Sequence, residues 1–415
     1  MDTAQEKLFR QEIGYFKADL YDLLGDLKPK FFLDGAEQWF LGVGQVYQTQ
    51  HHSLRDMKTY SIKDHLPLVQ SEADPKVPLY QIIAPFDPDE PITISVPKIA
   101  ITGTANSDKV LVTANHFGSF EDFDPTLLDR ILSSIYTPTK LLPVEDGLLK
   151  ELEPLDFPSW ERMFSYANEA IDTHELEKIV LSMASIAHKT PSFSEAECLR
   201  RLKQSIQGSH LFYAAGYLGV TPELVLRLKN GIALSTPLAG TRKTENMNEL
   251  STSIKDIHEH SVVVDAITDG LGLIAQNVKC SDPKMFPAGP ITHIATEIYA
   301  NDFKDEVNLL SVLANIAPTP AICGDPQESA LSVIRKLERD KREFFGGLVG
   351  TMDAELDGEA YLAIRSFKDL GDKVRFQAGV GLVDGSDANQ EFAEMHQKIA
   401  SVYQPLTDSK EHKII

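Results

Sequence analysis

The sequence predicts a single large α+β domain built from packed, mainly antiparallel β-sheets. Strand-like segments form meanders, helical segments separate them, and no linker or repeat divides the 415 residues. A chain of this length can bury a large core, and a hydrophobic content of 42% is typical of a globular protein. We therefore treat residues 1–415 as one domain.

The first part of the chain begins with apolar residues at helical spacing. They extend over residues 5–27 and end before Pro29, which predicts an N-terminal helix within 1–28. Short strand-like segments broken by proline and glycine follow, and then a helical pattern to about residue 170. Residues 30–165 are thus expected to supply an N-terminal part of the sheets and helices.

Strands and helices alternate more regularly in residues 170–403, the predicted core of the domain. Asn230-Gly231 predicts a hairpin turn because this dipeptide tolerates positive φ. The predicted elements are, in order, a strand at 178–186, a helix at 194–206, strands at 209–234, helices near 245–278 and 326–341, a meander turning at Asp357-Gly358 and Gly371-Asp372, and a last helix carrying EFAEMHQKIASVY.

Composition narrows the class of protein. A formal net charge of −21 argues against a nucleic-acid or anionic-membrane partner, since both require a basic face. The sequence has no apolar run of membrane-spanning length and a polar start, so we expect neither a transmembrane span nor a signal peptide. Three scattered cysteines indicate a reducing, cytoplasmic location. We expect a monomer or a weak homodimer.

The helix that contains DIHEHSVVVDAI, residues 256–267, carries an acidic pair. Successive side chains lie 100° apart on a helix, so adjacent His258, Glu259 and His260 cannot bind one ion together. Asp256 and Glu259 do share a face, and carboxylate oxygens favour Mg²⁺. The alternative is a solvated helix face that makes ordinary ion pairs.

A second acidic pair, Glu391 and Glu394, lies in the last predicted helix, with Lys398 four residues further along the same face. Two such helices could hold one Mg²⁺ between them and leave water positions open for a substrate oxygen. Lys398 could pair with an acid or contact an anion, and a simple Glu–Lys helix pair is equally compatible with the spacing.

Lys178 and Glu223 are candidate proton-transfer groups. Lys178 opens a strand, and a lysine that faces a sheet interior has a lowered pKa and can act as a base. The alternative is a strand-end lysine whose ammonium reaches solvent. Glu223 precedes the predicted strand LVLRL, where an acid is usually exposed.

Glycines in PLAGTR (237–242) and QAGVGLV (377–383) could bring a ligand close to backbone N–H groups. These are Gly240, Gly379 and Gly381. Arg365 could bind a carboxylate through two hydrogen bonds. By composition alone, both glycine segments are equally compatible with turns or strand bends.

Taken in order, these motifs resemble the chorismate-utilising enzymes, which include isochorismate, salicylate and anthranilate synthases. The motifs are KIVLS, TPELV, PLAGTR, the D-x-H-E-H helix, PTPAICGDP, FFGG, AIRS, QAGVGLV and EFAEMHQK. They cover roughly residues 170–403, and APFDPDEPITISVPK (84–98) is more weakly similar. The resemblance implies one α+β domain with two large packed antiparallel sheets and helices outside.

The resemblance also implies roles for the candidate residues. Lys178 would activate the water that attacks C2 of chorismate, and Glu223 would protonate the departing C4 hydroxyl. Glu259 and Glu394 would be the main Mg²⁺ ligands, with Asp256 and Glu391 binding or orienting its waters. The Mg²⁺ would hold the C1 carboxylate of chorismate.

The remaining positions would bind substrate. Arg365 and the backbone at Gly379 would receive the pyruvyl carboxylate, and His293 would lie near the ring. The other matching positions are Gly240, Thr241, Ala321, Phe345, Ile364, Gly381 and Lys398.

Within the family, the chain is most similar to isochorismate synthases. Ammonia-using members have Gln at the position of Lys178, so water is the expected nucleophile. Salicylate-forming members typically have Thr and Tyr where this chain has Ala321 and Phe345. The resemblance therefore implies isochorismate synthase, in siderophore, salicylate or menaquinone synthesis. Salicylate synthase is the alternative, and a non-catalytic chorismate-binding scaffold is a minor one.

Two positions depart from the family pattern. Met183 stands where members usually have Arg, and Ala317 stands where they usually have His. These departures raise the question of catalytic efficiency more than that of reaction class.

Overall fold

A computed structural model describes residues 7–50, 52–105, 107–117, 125–140, 144–206 and 208–408. It confirms the predicted α+β domain. Two large β-sheets and one small sheet contain the described strands, and all strand pairs except one are antiparallel. No described helix is long and apolar enough to cross a membrane.

The elements up to residue 172 are mostly strands. They are β1 (Lys7–Lys17), α1 (Leu20–Leu27), β2 (Phe31–Asp34), β3 (Trp39–Val43), β4 (Tyr47–Thr49), 3-10 turns at Arg55–Lys58 and Ile62–Asp64, β5 (Leu68–Ser71), β6 (Tyr80–Ala84), β7 (Thr93–Val96), β8 (Ile99–Gly103), β9 (Lys109–Phe117), α2 (Pro125–Tyr136), β10 (Leu149–Lys150) and α3 (Phe157–Asp172).

The elements from residue 178 onward keep the predicted order, but the helical region predicted near 245–278 forms a helix only at 254–272. Four strands and a helix between residues 275 and 316 were not predicted. In order, the elements are β11 (Lys178–Lys189), α4 (Glu195–Ser205), β12 (His210–Ala214), β13 (Tyr217–Thr221), β14 (Leu224–Lys229), β15 (Ile232–Ser235), β16 (Leu238–Lys243), a 3-10 segment (Thr244–Glu249), α5 (Ile254–Gly272), β17 (Ala275–Cys280), β18 (Lys284–Ala288), β19 (Ile291–Ala295), β20 (Ile298–Phe303), α6 (Leu309–Ile316), β21 (Gly324–Asp325), α7 (Gln327–Leu337), β22 (Leu348–Met352), β23 (Gly358–Leu362), β24 (Ser366–Asp369), β25 (Lys373–Leu382), α8 (Ala388–Tyr403) and a 3-10 turn (Gln404–Leu406).

Both large sheets combine strands from the two parts of the chain. The first has the order β10-β11-β25-β24-β13-β12-β2-β3-β8-β9-β1-β5, with β21 beside β11. The second has the order β17-β20-β15-β14-β23-β22-β6-β7-β4, and β16-β19-β18 form the small sheet. Because β2 pairs with β12 and β6 with β22, the two parts of the chain form one folding unit.

One hydrophobic core extends across both large sheets. It includes Phe40 and Phe376 of the first sheet, and Val349 and Tyr361 of the second, all nearly inaccessible to solvent. Burial of such side chains is the main favourable contribution to folding. The core therefore joins the two sheets into a single domain.

The predicted N-terminal helix is wrong over most of its length. Residues 7–17 form strand β1, and only residues 20–27 form a helix. β1 pairs with β9 along its length, and a register shift between Glu12 and Gly14 interrupts the period-two alternation. This irregularity made the apolar spacing resemble that of a helix. Residues 1–6 of the prediction lie outside the described residues.

Three predicted features that position the site are confirmed. The Asn230-Gly231 hairpin joins β14 to β15, and both residues have positive φ. Helix α5 begins where the Ser253 side chain accepts a hydrogen bond from the Asp256 amide. Helix α8 begins directly after Asp387, whose carboxylate accepts two backbone hydrogen bonds. These caps determine where both acidic pairs start.

Candidate active site

Most of the predicted site residues line one cavity between the two large sheets. These are Glu223, Gly240, Thr241, Glu259, His293, Ala321, Phe345, Ile364, Arg365, Gly379, Gly381 and Lys398. The other predicted residues, Lys178, Asp256, Glu391 and Glu394, lie next to this group through ion pairs and charge interactions. Residues far apart in sequence therefore form one site.

Lys178 is buried at the start of β11, with only 1% of its side chain exposed. Its Nζ lies 3.1 Å from Oε1 of Glu259. Burial lowers the pKa of Lys178, and the nearby Glu259 carboxylate partly opposes this shift. The alternative of a solvent-exposed lysine is therefore excluded, and Lys178 has the environment of a potential base.

Glu223 lies between β13 and β14 and is 3% exposed, so the usual exposed environment does not apply here either. Burial raises the pKa of Glu223 to about 8, although the charge of Lys178 favours the ionised form. Glu223 is therefore largely protonated at neutral pH. A buried carboxylic acid in this state can donate a proton.

At Gly381, the side chains of Glu259 and Lys178 lie so close to the backbone of β25 that they leave no room for a side chain. A Cβ on Gly381 would lie 2.2 Å from Oε1 of Glu259 and 3.0 Å from Cε of Lys178. Gly240 has φ of 68° at a register shift in β16, and a Cβ there would lie 3.2 Å from Cβ of Asp256. Both glycines thus permit close packing of strands against the acidic helix.

Arg365 is held by two side chains in the cavity wall. Its Nη2 donates to Nε2 of His293 at 3.1 Å, and its Nη1 donates to Oγ of Ser401 at 3.3 Å. Nδ1 of His293 lies 3.1 Å from the carbonyl oxygen of Gly240, so this nitrogen carries the proton. Burial and the charge of Arg365 lower the pKa of His293 to about 3. A neutral histidine therefore orients a cation that could receive a carboxylate.

Arg365 also has an uncommon backbone conformation. Its φ is 50°, in the left-handed region that non-glycine residues rarely adopt. Its carbonyl oxygen accepts a hydrogen bond from the Val220 amide at 3.0 Å. Backbone strain of this kind is concentrated at functional sites.

Four carboxylates from α5 and α8 form an acidic cluster beside the cavity, and each is paired with a basic side chain. Glu259 pairs with Lys178, and Glu391 with Lys255. The remaining ion pairs are Glu394 Oε1 to Lys398 Nζ at 2.8 Å, and Asp256 Oδ2 to Arg242 Nη2 at 2.6 Å. Both predicted acidic pairs thus face the same region. The solvated-face alternative is excluded for Asp256, which is 0% exposed. The Glu–Lys helix pair that the spacing allowed in the last helix does form, between Glu394 and Lys398.

The carboxylates of the acidic cluster lie close enough together to change one another's pKa values. Burial and the nearby Glu394 raise the pKa of Glu391 to about 7. Burial would also raise the pKa of Glu394, but the charges of Lys398 and Lys255 outweigh it and hold that pKa low. Neighbouring carboxylates in a buried site cannot all ionise freely without added positive charge.

The acidic cluster fits Mg²⁺ by its chemistry. Its potential ligands are all carboxylate oxygens, the type that Mg²⁺ prefers. Among the residues that the structure describes, no three His, Cys, Asp or Glu side chains form a group arranged to hold a metal ion. The basic partners occupy the carboxylates instead, so metal binding would require some of these ion pairs to open.

Sequence reasoning missed several polar residues at the site. Lys255 pairs with Glu391, Arg242 pairs with Asp256, and Ser401 contacts Arg365. Gln377 lines the cavity, and its Nε2 donates to Oγ of Ser182 at 2.9 Å. The sequence pattern could have indicated two of these residues. Lys255 is four residues before Glu259 on the same helix face, and Gln377 is two residues before Gly379 on the same strand face.

The two departures from the family pattern lie outside the cavity lining. Met183 points to the other face of β11, near Arg162 and Arg339. Ala317 is buried beside Pro318 and the Gly346-Gly347 segment. Ala321 and Phe345, in contrast, both line the cavity. The residues that differ from the common pattern therefore do not form its wall.

The chain belongs to a family of enzymes described as chorismate binding enzymes, whose sequence model matches residues 28–407. The vibriobactin-specific isochorismate synthase of Vibrio cholerae is 30% identical over 241 residues, which cover 55% of this chain and 61% of that protein. Isochorismate synthase EntC of Escherichia coli is 31% identical over 258 residues, which cover 59% and 66%. The chain thus matches less than two thirds of each relative's length.

A solved structure shares the fold over nearly the whole chain. It is MenF, the menaquinone-specific isochorismate synthase from Escherichia coli, with a TM-score of 0.77. The superposition covers 97% of this chain and 96% of that chain, at 21% sequence identity. At this identity the likeness establishes the fold alone.

Proposed function

We propose that this protein is a Mg²⁺-dependent isochorismate synthase, an isomerase that converts chorismate to isochorismate. The observation that carries the proposal is the placement of Lys178 and Glu223 at one cavity, where Glu223 lines the wall and the buried charge of Lys178 acts on it. Lys178 comes from the first sheet, and Glu223 precedes a strand of the second. Burial shifts both pKa values toward neutral lysine and protonated glutamic acid, the forms that a base and an acid require.

The reaction balances with these two groups. The Lys178 amine takes a proton from water as its oxygen bonds to C2 of the ring. The two ring double bonds shift by one position, and the C4–O bond breaks. Glu223 gives its proton to the departing hydroxyl, so that one water enters and one leaves. Proton exchange through solvent then restores the starting forms of both residues.

The substrate carries two carboxylates into a protein of net charge −21, so local positive charge must receive them. Arg365, oriented by His293 and Ser401, would bind the pyruvyl carboxylate together with the backbone at Gly379. Glu259 and Glu394 would hold Mg²⁺, with Asp256 and Glu391 beside them. When bound, Mg²⁺ would supply the charge that holds the C1 carboxylate.

Isochorismate is favoured over salicylate as the product because of two cavity residues. Ala321 and Phe345 contribute no hydroxyl group to the lining. Salicylate formation needs a further proton transfer during pyruvate elimination, and these side chains cannot take part in it. The identity of the two residues therefore supports a reaction that stops at isochorismate.

A product assay tests the proposal. The purified chain is incubated with chorismate and Mg²⁺, and products are separated chromatographically. We expect isochorismate, with Lys178→Gln reducing kcat by about 10³-fold, the order of magnitude of general base catalysis. The matched control is Lys63→Gln, since Lys63 forms an exposed ion pair with Glu306 and lies outside the cavity lining.

Each other outcome of the assay has a definite meaning. Unchanged chorismate in the presence of Mg²⁺ would overturn the proposal, and binding without turnover would indicate the non-catalytic scaffold. Salicylate plus pyruvate would assign salicylate synthase instead. The proposal includes a cytoplasmic location. It also includes a monomer or weak homodimer, and sedimentation measurements would check this oligomeric state. It leaves siderophore, salicylate and menaquinone synthesis open as pathways.

A further inference from the structure

Lys255 has a central position in the acidic cluster. It precedes Asp256 on α5, and its Nζ donates a hydrogen bond to Oε1 of Glu391 on α8. Its positive charge also interacts with Glu259 and Glu394. One ammonium group therefore connects the acidic residues of both helices, where the proposed Mg²⁺ would place its charge.

Lys178 and Lys398 are less free to leave the acidic cluster. Lys178 is 1% exposed, and Lys398 donates a second hydrogen bond, of 2.8 Å, to the Gly379 carbonyl oxygen. The Lys255 side chain is 20% exposed, and within the described residues its ammonium donates only to Glu391. A long, partly exposed side chain can move its charge into water at little cost.

We propose that Lys255 is a built-in cation that neutralises the acidic cluster in the metal-free protein and is displaced when a divalent cation binds. This inference rests on the proposed Mg²⁺ role of the cluster. Lys255 then sets the concentration of divalent cation at which the site fills. It also links α5 to α8 through Glu391 while the site is empty.

The physical reason is competition to neutralise the same carboxylates, since the Lys255 charge interacts with Glu259, Glu391 and Glu394. A divalent cation held by Glu259 and Glu394 would repel the nearby Lys255 ammonium, so metal binding should break the Lys255–Glu391 contact. Removing the Lys255 charge removes this competitor and leaves the carboxylates less well neutralised. The empty site should then be less stable, and its affinity for a divalent cation should be higher.

Metal titration of the full chain tests the inference without an activity measurement. Lys255→Met and Lys255→Gln are compared with the wild type after removal of metal with EDTA. Mn²⁺ serves as the probe, followed by calorimetry and electron paramagnetic resonance. We expect the Kd for Mn²⁺ to fall at least about tenfold in both variants, the effect of removing one nearby charge. Lys63→Met, which removes an exposed charge paired with Glu306, should stay within about twofold.

Thermal unfolding gives a second readout. Without metal, both Lys255 variants should melt below the wild type, and saturating Mn²⁺ should raise their Tm by more than it raises that of the wild type. If the wild type binds Mn²⁺ and both variants bind it equally or more weakly, the Lys255 inference is wrong, and the proposed Mg²⁺ role of the cluster is unaffected. If neither the wild type nor the variants bind, the Mg²⁺ role is wrong and the inference fails with it.

Discussion

Two regions of the first sheet, which we call its apolar end (β2, β3 and β8) and its polar end (β11 and β25), bury very different side chains. Around β2, β3 and β8, most buried residues are apolar, such as Phe32, Phe40 and Ile101, and the buried polar exceptions are Asp34 and Thr102. At β11 and β25, burial extends to Lys178 and Gln377, which are at most 5% exposed. Five strand spacings separate β25 from β3, about 24 Å along the sheet.

The difference shows how one sheet can both stabilise the fold and perform chemistry. Burial of Phe40 lowers the free energy of the folded state, because apolar surface leaves water. Burial of Lys178, like that of Glu223 opposite it, opposes ionisation and shifts the pKa of each group. Burial at the apolar end thus stabilises the fold and offsets the cost of burying charged groups at the polar end. Such a trade-off between stability and activity is common at active sites.

The largest expected effect is at the apolar end. Phe40→Ala should lower the free energy of unfolding by about 3–5 kcal/mol, because it leaves a cavity next to Phe31. The kcat of the protein that remains folded should change little, since Phe40 is far from the cavity. Urea unfolding and assays at low temperature would measure both quantities. A loss of kcat comparable to that of Lys178→Gln would show that the two ends are not independent.

A methyl group at the polar end should act on activity instead. Gly381→Ala would displace Glu259 and Lys178, and we expect kcat/KM to fall by about 100-fold, since 1 Å misplacements have effects of this size. The control is Gly272→Ala at the end of α5, where no neighbouring atom lies within 4 Å of the added Cβ. Equal kinetics for both variants would contradict the positioning role of the bare backbone at Gly381.

Glu223→Gln should raise the stability of the protein while it removes the activity. At pH 7 the unfolded chain ionises Glu223, whereas the folded chain keeps it protonated because its pKa is raised to about 8. Folding must therefore take up a proton at pH 7, which lowers stability; a glutamine has no such cost. We expect the variant to be inactive yet about 3 kcal/mol more stable at pH 7.

The gain in stability should shrink as pH falls toward 5, because the unfolded chain then also becomes protonated. Thermal unfolding at both pH values would measure this. Glu306→Gln is the exposed control, and it should show no such pH dependence. A gain for Glu223→Gln that is independent of pH would show that the raised pKa is not its cause.

The smallest expected effect is on the pH profile of kcat/KM. Activity should rise with pH as Lys178 loses its proton, at a lower pH than for an ordinary lysine. It should fall again as Glu223 ionises, to about half of its maximum near pH 8. Rates measured with chorismate from pH 6 to 9.5 at constant ionic strength would show this bell. A rate that still rises at pH 9.5 would exclude Glu223 as the acid.

Local periodicity predicted the conformation correctly wherever that conformation depends on one element alone. The strand at Lys178, the hairpin at Asn230-Gly231 and both acidic helices all form as predicted. The N-terminal segment was predicted wrongly because its conformation depends on pairing with β9, about 100 residues away. Short apolar segments take the conformation that their tertiary partners require.

The roles of the candidate residues needed more than spacing. Motif order indicated the family, and with it the positions that share one cavity. Spacing alone left Lys178 and Glu223 ambiguous, since a charged residue at a strand end is usually exposed. Their burial results from the packing of the two sheets, which no local pattern encodes. The spacing of Lys255 from Glu259 was visible in the sequence, but its partner Glu391 lies on another helix and only the tertiary structure identifies it.

The sequence by itself determined the class of fold, the family, and the residue types that could hold a cation and transfer protons. These follow from local periodicity and from the order of short motifs along the chain. Only the tertiary structure decided which carboxylates face one another, which cations now pair with them, and which acid stays protonated. Those properties depend on burial and on charges brought together from distant segments, and both exist only once the two sheets have packed.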